Sequence, residues 1–242
     1  MTNRISTGSF DLNKWLEDGY EKDVITMIAG PPGSGKTNFA LLAACSQANK
    51  ENKVIFVDTE GGFSVERVKQ ITGEKYEKVL ENIFLLEPTN FDEQKKSFLK
   101  LLDKIKSEHV SLIVIDGMAM LYRLELGDAV KSKDEENVKE INRDVAKQMR
   151  ALAEIARKQK IPVIITNQVY GNFQTEEEWR SGKEREMNLV GGDLFKYWSK
   201  CIIELKNSSG KRKAILLKHR NLKEKEMSFE IRDKGIFKKS WI

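Results

Sequence analysis

The sequence predicts an α/β fold, a mostly parallel central sheet flanked by helices, with antiparallel strands added near the C-terminus. Three observations predict it. A β-branched apolar run over residues 24–30 passes through a Gly-rich turn into an amphipathic run over 38–48. Continuous apolar runs at 54–57, 83–86, 112–115 and 163–166 alternate with stretches of helical period, as strands buried on both faces and their crossover helices require. In the last third that alternation ends, and runs at 201–205, 214–217 and 227–231 read as strands, the first two joined by a hairpin turn at Asn207-Ser208-Ser209-Gly210.

Taken in order, residues 1–23 are a lead-in too short for a domain. Residues 9–16 read as a short amphipathic helix or turn, with Phe10, Leu12, Trp15 and Leu16 available for packing. The strand over 54–60 ends in Asp58-Thr59-Glu60-Gly61-Gly62, and Ser64 is placed to cap a helix over 64–71. Residues 91–106 carry Phe91, Phe98, Leu101, Leu102 and Ile105 at helical spacing, and 118–133 reads as a loop or short helix. A long helix over 134–160 has Val138, Ile141, Val145, Met149, Leu152 and Ile155 along one stripe. The strand over 163–166 is followed by Asn167-Gln168, and 170–188 is polar and aperiodic, a length of loop that is commonly functional. With no repeats and no low-complexity linker, the expectation is one domain over 1–242.

The 242 residues are 40% hydrophobic and carry a net charge of +5, a mild excess that by itself identifies no polyanion partner. No apolar run approaches the roughly 20 residues of a membrane span, and MTNRISTGSF lacks the apolar core of a signal peptide. Cys45 and Cys201 have neither metal nor redox spacing. A cytoplasmic protein with no membrane partner is expected.

The chemistry concentrates in Gly30-Pro31-Pro32-Gly33-Ser34-Gly35-Lys36-Thr37, with Asn38 following. This is the phosphate-loop pattern in its required strand–turn–helix context. Glycines let the backbone curl so that N–H groups face an anion, and the helix N-terminus adds partial positive charge there. Lys36 is placed to reach the β- and γ-phosphates of ATP and Thr37 to ligate Mg²⁺. Four apolar residues ending in Asp116 form the second nucleotide-binding strand pattern, with Asp116 on the Mg²⁺ side.

These elements, in this order, resemble the recombinase and ATPase superfamily of RecA, archaeal RadA and KaiC. The match begins at Arg4-Ile5-Ser6-Thr7-Gly8-Ser9 and continues through the phosphate loop, DTEGGFSVERV (58–68), LIVIDGMAMLYRLEL (112–126), ITNQVYG (165–171) and LVGGDLF (189–195). The fold it implies is the RecA-like core without the separate N-terminal DNA-binding domain of RadA or its Phe-x-x-Ala polymerisation element, which looks like the RadB group of RadA paralogues. The resemblance implies a repair and recombination protein that binds ATP and single-stranded DNA and hydrolyses ATP very weakly. It implies no strand exchange, assistance to a RadA-type recombinase, and self-association into a homo-oligomer. By the same resemblance Glu60 matches the residue that orients or deprotonates the attacking water, and Gln168 the γ-phosphate sensor. The segments 118–133 and 170–190 match the two DNA-binding loops. The adenine-stacking arginine of the recombinases falls near Glu87, and the second loop is rich in Glu, two departures from the pattern.

Lys218 and Arg220 close a predicted strand within a basic stripe that holds nine Lys or Arg between 200 and 225 against Glu204 and Glu224. They are expected on one strand face, as fingers toward a neighbour's γ-phosphate, as DNA-backbone contacts, or as a solvated edge. Two functional readings follow. One is a RadB-type recombination ATPase, favoured by DTEGGFSVERV and TNQV. The other is a KaiC-like regulatory ATP-binding protein acting through protein partners, favoured by the acidic second loop.

Overall fold

The computed structural model describes residues 3–171, 187–208 and 210–239. Its centre is a sheet with strand order β12-β11-β10-β9-β3-β7-β6-β4-β5. The inner strands are β3 (Ile25–Gly30), β4 (Lys53–Asp58), β5 (Ile83–Leu86), β6 (Val110–Asp116), β7 (Val163–Gly171) and β9 (Ser199–Ser208), all parallel. On the far side of β9, β10 (Lys211–Lys218), β11 (Lys225–Arg232) and β12 (Gly235–Lys238) continue the sheet antiparallel. The antiparallel extension therefore starts one strand later than the sequence suggests, because β9 still runs parallel to β3.

Alternate residues of each inner strand serve opposite faces. Met27, Ile55, Val57, Ile113 and Ile115 face one core with α5 (Phe91–Ser107), α6 (Met120–Lys131), α7 (Glu135–Gln159) and α8 (Asp193–Trp198). Ile28, Val54, Phe56, Leu112 and Val114 face the other, with α1 (Phe10–Trp15), α2 (Lys36–Ala48), α3 (Val65–Thr72) and α4 (Tyr76–Leu80). The stripe predicted for the long helix is its buried face, with Val145, Met149 and Leu152 fully enclosed. Ser64 and Asp134 cap α3 and α7 by accepting the backbone N–H groups of Arg67 and Asn137.

Several elements differ from expectation. Residues 118–133, read as a loop or short helix, are mostly the helix α6. β7 runs to Gly171, well past Thr166, because β8 (Met187–Leu189) pairs with its end. The predicted 170–188 loop otherwise lies outside the described residues. Phe10 does not pack; it is 81% exposed, and Leu12, Trp15 and Leu16 alone carry the α1 contact.

The lead-in is fastened at both ends. β1 (Arg4–Ile5) pairs with β2 (Tyr20–Glu21). Ser9 Oγ donates to Ile236 O at 2.6 Å, and the Lys238 N–H donates to Asp11 Oδ2 at 2.7 Å. Leu152→Ala empties the centre of the α7 stripe and is expected to lower stability by about 2–5 kcal/mol, read as a fall in urea midpoint without change in slope.

Candidate functional site

Parallel α/β sheets present their ligand sites at the carboxyl ends of the strands, and here the phosphate loop, Glu60, Asp116 and Gln168 all meet that edge. The register places Gly30 beside Gln168 and Asp58 beside Asp116. A cavity of about 510 Å³ opens between them, lined by Gly33, Lys36, Thr37, Asn38, Glu60 and Gln168 among others.

The loop conformation depends on glycine at two positions in particular. Gly35 caps α2 at φ 109°, a left-handed value that side chains resist. A Cβ on Gly30 would lie 2.6 Å from Ser34 Oγ and 2.7 Å from Leu205 O. Pro31 and Pro32 carry the turn between them. Lys36 is buried, and its ammonium donates to Gly30 O at 3.0 Å and Pro31 O at 3.1 Å. Burial pushes its pKa down, opposed by the nearby Glu60 and Asp116. Asn38 accepts from Arg67 Nε at 2.8 Å, and Arg67 also donates to Arg232 O, tying α2 and α3 to the β11–β12 turn.

Asp116 is the deepest charge of the site, 1% exposed. Its Oδ1 accepts from Thr166 Oγ1 at 2.5 Å, and that same hydroxyl accepts the Gly117 N–H at 2.7 Å. Its Oδ2 has no hydrogen-bond partner among the described residues. Burial raises the Asp116 pKa, while Thr166 and Thr37 pull it back. A Cβ on Gly62 would lie 3.3 Å from Thr37 Oγ1 and 3.6 Å from Asp116 Oδ2, so both oxygens face one small space that glycine leaves open. An orphaned carboxylate oxygen beside a hydroxyl is the hard oxygen set that suits Mg²⁺.

Glu60 and Gln168 meet directly: Gln168 Nε2 donates to Glu60 Oε1 at 3.1 Å. Glu60 is held by its neighbours, its N–H donating to Asp58 Oδ1 at 3.1 Å, while Asp58 Oδ2 accepts from Phe63 N at 2.7 Å. Gly117 leaves room for this strand end, since a Cβ there would lie 2.7 Å from Glu60 Cγ. The pair also lines a second, narrower crevice with Met120 and Arg123 of α6 and Val190 beyond β8. Asn167 donates to Val190 O at 2.8 Å and fixes that side.

Thr166 was given no role in the sequence, and Thr59 was named only as part of the strand end. Thr59 Oγ1 lies 2.8 Å from Gly117 O and 3.0 Å from Asp116 O, holding β4 to the end of β6. Arg212 was also missed. It lines the nucleotide cavity from β10, and its Nε is buried without a hydrogen-bond partner among the described residues. No sequence signal separates it from the other cations of its strand.

Lys218 and Arg220 lie elsewhere. β10 stops at Lys218, so the shared-face expectation does not apply. Lys218 Nζ donates to Lys196 O at 2.9 Å, and Arg220 pairs with Asp23 at 2.6 Å and Glu21 at 3.2 Å. Lys218 pairs in register with Ile202 near the amino end of β9, whereas Arg212 pairs with Asn207 near its carboxyl end. Both former candidates are thus at the pole opposite this chain's own phosphate loop. Arg220 keeps the Asp23 carboxyl below its usual range, chiefly through their hydrogen bond.

The Asp116 carboxyl gives a pH prediction. With its folded pKa raised, it binds its proton more tightly than in the unfolded chain, so its contribution turns against folding as pH rises past the ordinary 3.8. Asp116→Asn should therefore raise Tm at neutral pH, the gain vanishing below about pH 4; thermal melts across pH check it, and a lower Tm at neutral pH would contradict it.

The Rad51 family model matches residues 2–239. The chain is 39% identical over 238 residues to the DNA repair and recombination protein RadB of Methanobrevibacter smithii, covering 96% of this chain and 95% of that protein. It is 40% identical over 226 residues to RadB of Methanococcus maripaludis strain C7, covering 93% and 96%. With RadB of Methanocaldococcus jannaschii the identity is 41% over 225 residues, covering 93% and 98%. Spanning its relatives nearly end to end, with the phosphate loop, Glu60, Asp116 and Gln168 gathered at one sheet edge, the chain belongs to the Rad51 family of RecA-type recombinases, in its RadB group.

Proposed function

We propose that this chain is a DNA repair and recombination protein that binds ATP with Mg²⁺, hydrolyses it slowly, binds single-stranded DNA and assists a RadA-type recombinase without exchanging strands itself. The observation that carries the reading is the Gln168–Glu60 hydrogen bond of 3.1 Å, set across the cavity from Lys36. The pair stands between the nucleotide cavity and the crevice bounded by α6 and Val190. A change at a γ-phosphate can therefore be passed to the segments 118–133 and 170–190 through one amide.

In this reading residues 30–38 cradle the triphosphate with backbone N–H groups and the start of α2. Lys36 trades its two loop carbonyls for phosphate oxygens. Thr37 and Asp116 hold the Mg²⁺, which supplies charge neutralisation to the phosphates when bound. Glu60 orients the attacking water and accepts its proton, a role open to a carboxylate within hydrogen-bond reach. Gln168 keeps Glu60 directed and senses the γ-phosphate, since an amide offers both donor and acceptor. Arg212 adds positive charge in cis, a place where an unpaired guanidinium has phosphate to meet.

Lys36→Ala should abolish the protection that ATP gives against thermal unfolding; protection equal to that of the unaltered protein would remove the nucleotide reading. Glu60→Gln keeps an oxygen for Gln168 to donate to, so it should retain ATP protection while slow hydrolysis falls by about 10²-fold or more. That is read as phosphate release on protein freed of contaminating ATPase, and an unchanged rate would leave Glu60 structural. DNA binding is checked by gel shift over a salt series, where affinity for single strands should fall steeply as salt rises.

A further inference from the structure

At the pole opposite the nucleotide cavity, the amino ends of the strands frame a cavity of about 710 Å³. The C-terminal half of α7 forms one wall, and Trp198 and Arg220 form the other. Its cations outnumber its acids. Arg150, Arg157, Lys158, Lys160 and Arg220 line it against Asp23 and Glu154. Both acids are already engaged, Asp23 by Arg220 at 2.6 Å and Glu154 by Lys158 at 2.5 Å. Arg157 and Lys160 form neither hydrogen bond nor ion pair among the described residues, Arg150 acts on Glu154 only through a longer-range electrostatic attraction, and all three are exposed. Arg150 and Arg157, seven apart, lie two turns apart on one face of α7.

The wall opposite α7 carries one aromatic ring, Trp198, with Tyr197 beside it outside the lining. Trp198 is half-buried on the core and meets the 67% exposed Tyr197 edge to face at 5.2 Å, with Lys200 Nζ 5.2 Å from the Tyr197 ring centre. Lys160 itself holds a left-handed φ of 57° at the end of α7, a position glycine takes without strain. Exposed guanidinium groups beside aromatic rings are the combination that tracks a phosphate backbone and stacks its bases. An acidic peptide would use the cations and leave the rings idle.

We infer that this cavity is a second nucleic-acid contact, holding the backbone of a single strand on Arg150, Arg157 and Lys160 with a base against Trp198 and the strand continuing over the adjacent exposed Tyr197 ring. The inference rests on the reading that the chain binds DNA, and adds a contact at the opposite pole from α6. It gives the chain two poles, one reading nucleotide and one gripping a strand.

The test is fluorescence anisotropy of labelled oligothymidylate with the full chain over a salt series. Arg150→Ala with Arg157→Ala should weaken binding about tenfold and reduce the salt slope by about two. ATP protection against unfolding should stay intact, which certifies the fold. Tyr197→Ala, at an exposed ring, should weaken binding about fivefold or more with the slope unchanged. If the unaltered protein binds and the double variant binds equally with the same slope, this contact is rejected and the DNA reading stands. If the unaltered protein binds no strand, both fall. Polyglutamate bound as tightly as the oligonucleotide, and lost in the same double variant, would overturn the inference in favour of an acidic protein segment.

Discussion

The site depends on a single hydroxyl. Thr166 donates to Asp116 and accepts from the Gly117 backbone, so one group fixes both the carboxylate and the turn that follows it. Without a donor there, a carboxylate 1% exposed would carry an unrelieved desolvation penalty. With it, the ends of β6 and β7 are locked in register. Gln168, two residues past Thr166, then falls opposite Glu60. Thr59 repeats the device one strand over, joining β4 to the carbonyls at the end of β6. The active edge is thus stitched by threonines whose own chemistry is unremarkable.

The architecture was legible where hydrophobic period and turn chemistry agreed. The phosphate loop, the strand ends at Glu60 and Asp116, and the stripe of α7 are written in local pattern. What was not legible depends on distant partners. β7 outruns its apolar core because β8 pairs with residues 169–171. β9 looks like the first of an antiparallel set, yet its neighbour β3 fixes it parallel. Phe10 has the hydrophobicity of a core residue and is left outside, since α1 turns Leu12 and Trp15 inward. In the site, Arg212 sits among other cations of one strand, and only the fold decides which of them reaches the cavity.

The Lys218-His219-Arg220 triplet makes the same point about charge. Read along the chain, it is a basic run aimed at an anion. In the fold Arg220 is pinned between Asp23 and Glu21, and His219, 3.8 Å from Glu21, is pushed down in pKa by burial. Arg220 fastens the lead-in to the sheet, while Lys218 donates to Lys196 O of α8. On α7, where the sequence shows an ordinary solvated face, Arg157 is a cation with no hydrogen bond or ion pair among the described residues.

The joining of residues 9–11 to residues 236–238 has a consequence for synthesis. Ser9 and Asp11 find hydrogen-bond partners in Ile236 and Lys238, across 227 positions. Long-range closures of this kind are slow to form because the entropy of the loop must be surrendered first. The nascent chain can assemble its inner strands early, but these contacts of α1 wait until β12 has been made.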